Sequence, residues 1–311
     1  MGLITDAAFR VEVARARSVF TRESRCYSPP MLDPANTKIA AELSISVVLF
    51  HSPIEQLRAL IESVVASLQR ADLHGVEMVC VDNSCDAEYG ERCEQMLAEF
   101  GSNPYLCTRY MGADRNAGYG AGHNRAMSGC SAPVHLILNP DVELAEDAIP
   151  LALETMAAQD GLALLAPVGF NGTGEPEYLA KAYPSVWVLG LRAFAPAWLK
   201  RLGASPLARY ELRDQTPSER LRPVTLASGC CVWVRRALFD RVGGFDERYF
   251  LYFEDYDLSL KLTQLGEVAE HSQIRIVHHG GDAARKGVRH IRWFTAGAIR
   301  FFNRWGWKWL G

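Results

Sequence analysis

The sequence predicts an α/β fold with a central, mostly parallel sheet flanked by helices, because short apolar runs alternate with amphipathic helices. The first strand is predicted at residues 45–50, where branched apolar residues form a continuous run. The helix after it carries apolar residues on one face: Leu57, Leu60, Ile61, Val64, Val65 and Leu68. Strands that are apolar on both faces need crossover helices to bury both sides, which favours parallel pairing.

The same alternation continues along the chain. Further strands are predicted at 77–81, 107–111, 134–138, 162–168, 226–234 and 274–277. Helices are predicted at 92–100, after Gly120, after Leu144 and from about Glu254. The predicted organisation is an extension with one helix (1–42), one main domain (43–282, with halves 43–170 and 171–282) and a C-terminal helical segment (283–311).

Composition narrows the class of protein. The 311 residues are 49% hydrophobic and 22% charged with a net charge of -3, which is typical of a globular chain and gives no signal for nucleic-acid binding. The eight cysteines form no C-x-x-C pair, so a zinc knuckle or disulfide framework is not indicated. The N-terminus lacks the apolar core of a signal peptide, and we therefore expect a cytoplasmic protein.

Polar residues follow four predicted strands at the edge where open parallel sheets bind ligands. In chain order they are His51, Asp82 with Asn83, Arg115 with Asn116, and Asn139 with Asp141. Asp82 could accept a hydrogen bond from a base, whereas Arg115 and Asn116 could donate to base or phosphate oxygens. Each residue alone could be a helix cap or turn former, but four strand ends together favour a nucleotide site.

Two features refine that site. The glycines Gly118, Gly120 and Gly122 do not have the dinucleotide-binding spacing, so they either let the backbone approach a phosphate or sugar, or serve close packing. Asp141 follows Pro140 at a strand end, where a carboxylate can bind a hard divalent cation together with substrate phosphates. The alternative for Asp141 is the tip of a turn.

The second half contains an acidic cluster, Glu254, Asp255 and Asp257, that follows Tyr252 and Phe253 at a predicted helix start. Acidic residues there complement the helix dipole by about 0.3–1 kcal/mol each, but that effect requires no aromatic neighbours. A carboxylate in an aromatic rim fits a general base better.

A strand that ends in His278 and His279 follows the acidic cluster. Neutral imidazoles are common metal ligands, and a histidine at a strand end could also contact a pyrophosphate. A purely structural role for these histidines is the alternative.

Seven motifs occur in one order along the chain: Asp82-Asn83-Ser84, Arg115-Asn116-x-Gly118-Tyr119-Gly120-x-Gly122-x-Asn124, Leu138-Asn139-Pro140-Asp141, Ser228-Gly229, Gly243-Gly244-Phe245-Asp246-Glu247, Glu254-Asp255-x-Asp257-Leu258 and His278-His279. Over residues 44 to 305 this order resembles the family 2 glycosyltransferases of GT-A fold. It is most similar to the bacterial rhamnosyltransferases of polysaccharide and O-antigen assembly.

The resemblance implies a metal-dependent, inverting transferase. Its expected partners are a nucleotide-sugar donor, either dTDP-L-rhamnose or a UDP-sugar, and a glycan or lipid-linked saccharide acceptor. It implies that Asp255 is the catalytic base and that Asp141 stands in the family's D-x-D position. Because Asn139 replaces the first acid of that motif, Mg²⁺ or Mn²⁺ is expected to bind with the donor, helped by His278 or His279.

The resemblance also implies the remaining site residues. Those expected to line the donor site are His51, Asp82, Asn83, Arg115, Asn116, Gly118, Asn139, Ser228 and Gly229. Those expected on the acceptor side are Glu254, Asp257 and Tyr252. Glu254 and Asp257 are also rivals of Asp255 for the role of base.

The C-terminal segment, residues 283–311, has seven Lys or Arg, four Trp and no acidic residue. Basic and aromatic residues together favour peripheral contact with a membrane. The alternative is a helix that docks its aromatic residues on the core.

Two other function classes stay open on the sequence. A sugar-phosphate nucleotidyltransferase would require a glycine-rich basic loop where this chain has His51-Ser52-Pro53. A catalytically silent nucleotide-sugar-binding protein is the non-enzyme alternative.

Overall fold

The computed structural model describes residues 42–195, 204–213, 220–280 and 287–310. The helix expected within residues 1–42 lies outside the described residues. The strands are β1 (Leu43–Leu49), β2 (Val76–Asp82), β3 (Leu106–Gly112), β4 (Val134–Leu138), β5 (Val142–Leu144), β6 (Leu162–Asn171), β7 (Pro176–Glu177), β8 (Ala180–Lys181), β9 (Leu221–Pro223), β10 (Leu226–Ala227), β11 (Cys231–Arg235) and β12 (Glu267–His278). The helices are α1 (Ile54–Ala71), α2 (Ala87–Ala98), α3 (Tyr119–Met127), α4 (Ala148–Ala158), α5 (Val186–Phe194), α6 (Ala204–Tyr210), α7 (Arg236–Arg241), α8 (Glu254–Leu262) and α9 (Gly287–Trp305).

One large sheet runs through both halves of the described chain. Its strand order is β3-β2-β1-β4-β11-β6-β12-β5, with β7 beside β6 and β9 beside β12. The strands β1 to β4 are parallel, as are β6 and β12, whereas β11 runs antiparallel to both β4 and β6. The α/β class and the mostly parallel sheet flanked by helices are thus confirmed.

The predicted strands of the second half needed correction. The single strand expected at 226–234 is two strands, β10 and β11, because the chain leaves the ladder at Ser228–Cys230. The run at 274–277 is only the end of a twelve-residue strand, β12. The short strands β7, β8 and β9, like β5 in the first half, were not predicted, since two or three residues give no readable periodicity.

Helix α1 buries the apolar face that its periodicity predicts. Two serines of this helix are also buried and accept hydrogen bonds from neighbouring elements. Ser63 Oγ accepts a hydrogen bond from the Leu144 amide, and Ser67 Oγ accepts one from the Ile149 amide, both at 3.0 Å. These buried amides, at the end of β5 and at the start of α4, would otherwise lack acceptors. The two serines therefore fix the segment that follows Asp141.

Strand register brings together residues distant in the sequence. Cys231 of β11 pairs with Leu138 of β4, so the residues before β11 lie beside those after β4. The Asn139 amide accordingly donates to the Cys230 carbonyl at 2.8 Å. At the other side, His278 of β12 pairs with Val142 of β5, which places it next to Asp141.

Helix α9 packs on the core through Phe301 and Phe302, and it covers Asp257. Asp257 is fully buried, accepts a hydrogen bond from Trp305 Nε1 at 2.8 Å, and lies 3.1 Å from Arg304 and 3.7 Å from Lys261. The acceptor-side role expected for Asp257 does not fit this position. Its carboxylate has no surface on which to meet an acceptor, and it ties α8 to α9.

Candidate active site

Asp141 and His278 converge at the carboxyl edge of the sheet. Asp141 Oδ1 is buried, has no hydrogen-bond donor among the described residues, and lies 3.6 Å from His278 Nε2. His278 Nδ1 is 2.7 Å from Glu177 Oε2. A carboxylate that holds the far nitrogen of a histidine is the usual support for a metal-binding imidazole. This geometry suits one oxygen and one nitrogen ligand of a shared cation.

Gly280 leaves the space between these two side chains open. A Cβ at this position would overlap Asp141 Oδ2 and lie 2.9 Å from His278 Nε2. Because any larger residue would fill the gap, the glycine keeps room for an ion. Among the described residues no group of three or more His, Cys, Asp or Glu gathers as a metal site. Two protein ligands fit Mg²⁺ or Mn²⁺ whose other positions are filled by phosphates and water.

The structure separates the histidine pair. His279 Nε2 is 2.8 Å from Glu143 Oε1, and its amide donates to the Asp141 carbonyl at 2.8 Å. The backbone of His279 therefore helps to position Asp141, whereas its ring turns toward Glu143. The metal-ligand role expected for either histidine is better met by His278.

The residues at the end of β2 that are expected to bind the nucleotide sugar are buried and make hydrogen bonds within the protein. Asp82 is 2% exposed and accepts hydrogen bonds from the Ser84 amide, the Ser84 hydroxyl and the Tyr110 hydroxyl, each at 2.8 Å. Asn83 donates through Nδ2 to the Gly118 carbonyl at 3.0 Å. Contact of Asp82 with a base stays a prediction. What the structure shows is that Asp82 holds Ser84 and Tyr110 in place.

The other residues expected to bind the nucleotide sugar lie around the carboxyl edge of the sheet. His51 and Arg115 are exposed, and the His51 ring lies 5.5 Å from that of Tyr89. Asn116 Oδ1 accepts a hydrogen bond from the Gly118 amide at 3.0 Å. Gly118 has φ of 98° and packs so closely on the Phe250 carbonyl that a Cβ would overlap it. The structure thus gives Gly118 a packing role, with the α3 N-terminus beside it.

Asp255 lies in the first turn of α8, beside the break between β10 and β11. Its Oδ2 accepts a hydrogen bond from the Gly229 amide at 3.0 Å, and its Oδ1 accepts one from the Tyr256 amide at 2.9 Å. Burial raises the pKa of Asp255, and the two amide donors oppose that rise. A half-buried carboxylate with a raised pKa and fixed geometry is suited to accept a proton.

Glu254 is the more deeply buried neighbour. Burial and, second, the charge of Asp255 raise the pKa of Glu254 well above its ordinary value. Its Oε2 has no hydrogen-bond donor among the described residues. Burial and the nearby charge of Asp255 thus favour the protonated form of Glu254, whereas the two amide donors of Asp255 favour the charged form of Asp255.

The turn before α8 has an unusual backbone. Tyr252 and Phe253 have φ of 73° and 69°, a left-handed conformation that costs about 1–3 kcal/mol per non-glycine residue. Helix α9 covers this turn: a Cβ on Gly297 would lie 2.8 Å from the Tyr252 carbonyl oxygen. The Tyr252 hydroxyl is 2.9 Å from His290 Nδ1. Tyr252, expected on the acceptor side, thus joins the turn before α8 to α9.

Some of these residues were missed by sequence reasoning. Glu177, Tyr110 and Tyr119 act through contacts with residues far along the chain, and their spacing gives no signal. Gly280 did carry a signal in the sequence, since a glycine directly after a histidine pair at a strand end indicates that another group approaches the backbone closely.

An open α/β sheet with Asp141 and His278 at its carboxyl edge, and with the Asp255 carboxylate anchored nearby by the Gly229 amide, is typical of a nucleotide-dependent transferase. The chain belongs to glycosyl transferase family 2, whose family model matches residues 44–243. Membership implies a nucleotide-sugar donor and a saccharide acceptor, and it sets aside the nucleotidyltransferase alternative.

The chain is similar to several curated proteins. The N-acetylglucosaminyl-diphospho-decaprenol L-rhamnosyltransferase of Mycobacterium tuberculosis is 29% identical over 232 residues, which cover 70% of this chain and 71% of that protein. The rhamnosyltransferase WbbL of Escherichia coli is 24% identical over 215 residues, covering 64% and 76%. The O-antigen biosynthesis protein RfbC of Myxococcus xanthus is 28% identical over 77% of this chain but only 17% of its own length.

Solved structures share the GT-A fold. GalNAc-T7 with UDP, GalNAc and Mn²⁺ has a TM-score of 0.60 at 14% identity, and the match covers 86% of this chain and 49% of that one. The mannosyltransferase PcManGT from Pyrobaculum calidifontis, with GDP-Man and Mn²⁺, has a TM-score of 0.54 at 14% identity, covering 94% and 72%. Because the sequence identity is only 14%, this structural similarity shows a shared fold and nothing about the substrates of this chain.

Gly280→Ala is predicted to weaken divalent-cation binding, because its methyl group would fill the space between Asp141 and His278. We expect a loss of about 10- to 100-fold in Mn²⁺ affinity, the range seen when the support of a metal site is removed. Electron paramagnetic resonance titration with Mn²⁺ and a nucleoside diphosphate measures it. Gly161→Ala is the matched control, since nothing lies within 4 Å of its new Cβ. Wild-type affinity in Gly280→Ala would contradict the site.

Proposed function

We propose that this chain is a metal-dependent, inverting rhamnosyltransferase of polysaccharide assembly. In this proposal it moves L-rhamnose from dTDP-L-rhamnose to a hydroxyl of a glycan or a lipid-linked saccharide. The single observation that carries the catalytic part is the Asp255 carboxylate, anchored by the Gly229 amide next to the Asn139–Asp141 segment. The rhamnosyltransferase relatives support the sugar.

Donor binding is proposed at the carboxyl edge of β1, β2 and β4. Asn139 Oδ1 is buried and receives no hydrogen bond from the described residues. A hydroxyl group of the bound nucleotide sugar could donate one to it. Asp141 and His278 would hold Mg²⁺ or Mn²⁺, with Glu177 orienting the imidazole. A divalent ion supplies charge neutralisation for a departing nucleoside diphosphate. Exposed Arg115 lies at the same edge to meet phosphate oxygens.

Asp255 is proposed to remove the proton from the acceptor hydroxyl. The amides of Gly229 and Tyr256 hold its two oxygens, so its direction is set before an acceptor arrives. The raised pKa of Glu254 beside it disfavours a second charge at this position. The activated oxygen attacks the anomeric carbon on the face opposite the diphosphate, and the configuration inverts.

We also propose that the outer face of α9 contacts an anionic membrane, where a lipid-linked acceptor would lie. Val288 and Ile291 are exposed apolar residues on this face, with Arg289 and Arg292 beside them. The exposed Trp309 follows the helix. In the part of the chain that is described, none of the helices is both long and apolar enough to cross a bilayer.

Flotation of the full chain with liposomes tests the membrane proposal. We expect the protein to rise through the density gradient with vesicles that contain phosphatidylglycerol, because the arginines require anionic headgroups. With vesicles of phosphatidylcholine alone, the protein should stay at the bottom of the gradient. Reversal of charge in Arg289→Glu with Arg292→Glu should abolish flotation. Equal behaviour of the wild type with both vesicles would contradict this contact.

Asp255→Asn is predicted to lower kcat by about 10²- to 10⁴-fold, the usual contribution of a general base, while the donor still binds. In the wild type, burial raises the pKa of Asp255, so turnover should fall with decreasing pH at values above those of an exposed aspartate. Release of nucleoside diphosphate measures turnover, and the thermal shift with each donor measures binding. Asp240→Asn, at a surface ion pair with Arg236, is the control.

Three results would change the proposal. Wild-type turnover in Asp255→Asn would remove the base assignment. A larger thermal shift with a UDP-sugar than with dTDP-L-rhamnose would replace the donor. If the wild type binds donor but releases no diphosphate with any acceptor or with water, the chain is a nucleotide-sugar-binding protein.

A further inference from the structure

The Gly229 backbone is held from two sides. The Tyr119 hydroxyl donates a hydrogen bond to the Gly229 carbonyl at 2.6 Å, and the Gly229 amide donates to Asp255 Oδ2 at 3.0 Å. A Cβ on Gly229 would lie 3.2 Å from the Asp255 Cβ and 3.4 Å from Tyr119 Cε1. The three residues are thus in contact, with Gly229 between the tyrosine and the carboxylate.

Tyr119 itself is held by residues from both halves of the chain. Its amide donates to the Phe250 carbonyl at 3.0 Å, and the carbonyl of the preceding Gly118 accepts from Asn83 Nδ2 at 3.0 Å. Its ring lies edge-on to His123, with 4.4 Å between centroids. The position of the hydroxyl is therefore set by Asn83 after β2, by His123 in α3 and by Phe250 in the second half.

Gly229 needs such a partner because it lies where the chain leaves the sheet. Its neighbours are bonded elsewhere: the Ser228 amide donates to the Leu179 carbonyl, and the Cys230 carbonyl accepts from the Asn139 amide. The buried Gly229 carbonyl has no ladder partner here, and the tyrosine hydroxyl replaces one. Burial raises the pKa of Tyr119 well above its ordinary value, so the hydroxyl keeps the proton that it donates.

We propose that Tyr119 is a positioning residue for the transfer reaction: its hydroxyl fixes the Gly229 peptide, which in turn fixes the oxygen of Asp255 that takes the acceptor proton. This role rests on the proposed function of Asp255. It couples the donor side of the site, through Asn83 and Gly118, to the base. Tyr119 touches no reacting atom.

Removal of the hydroxyl should therefore act on Asp255. Without its anchor the Gly229 amide turns away, and the carboxylate loses a donor that favours its charged form. The acid limb of the pH profile should move to higher pH, and kcat should fall about three- to tenfold, as for one neutral hydrogen bond. The donor KM should not change. The titratable groups that face Asp255 are Arg192, Tyr119, Tyr210, Cys230, Glu254 and Tyr256.

The test compares Tyr119→Phe with Tyr183→Phe in the full chain. The Tyr183 hydroxyl also donates to a glycine carbonyl at 2.6 Å, that of Gly306, so the control removes the same kind of bond elsewhere. We expect only Tyr119→Phe to lower kcat and to shift the acid limb upward. A loss of stability in both variants, with an unshifted pH profile in Tyr119→Phe, would overturn the positioning role.

Hydrogen exchange gives a second measurement that needs no activity. The Gly229 amide should be protected in the wild type and should exchange faster in Tyr119→Phe than in Tyr183→Phe. Fast exchange of this amide in the wild type, or equal exchange in the two variants, would overturn the proposal even if Tyr119→Phe were poorly folded. A wild type without transfer or donor hydrolysis would instead refute the proposed function, whatever the exchange result.

Discussion

The antiparallel insertion of β11 between β4 and β6 is the constraint on which the site depends. Parallel strands alone would bring the ends of β1, β2 and β4 together but would leave the second half of the chain elsewhere. Because β11 enters in the opposite direction, its first residues lie beside the last residues of β4. The Gly229 amide and the Asn139 backbone thereby meet at one edge, and Asp255 and Asp141 become parts of one site.

The site divides into two electrostatic environments. On one side, Asp141 and His278 offer an oxygen and a nitrogen 3.6 Å apart, which suits a cation bound together with phosphates. On the other side, the buried Glu254 and the half-buried Asp255 form a carboxyl pair in which burial disfavours a second charge. Helix α9 maintains this second environment, because it packs on the left-handed turn before Glu254.

Sequence patterns predicted the sheet and the strand ends well, because those features depend on local periodicity. Strand β4 was predicted at its observed bounds, and α8 at its first residue. The pattern could not show which way a polar side chain turns. Asp257, two residues after Asp255, faces Trp305 and Arg304 from a helix whose packing no local pattern reveals. The histidine pair likewise separates because β5 supplies Glu143 to one ring and β7 supplies Glu177 to the other.

The stereochemistry of the product tests the central claim most directly, because a base that activates an acceptor for single displacement requires inversion. Proton NMR of the first product formed, with the donor that gives the largest thermal shift, reports the anomeric configuration. The account predicts a product whose configuration is opposite to that of the donor. A product with the donor's own configuration would contradict the role of Asp255 as base in a single displacement.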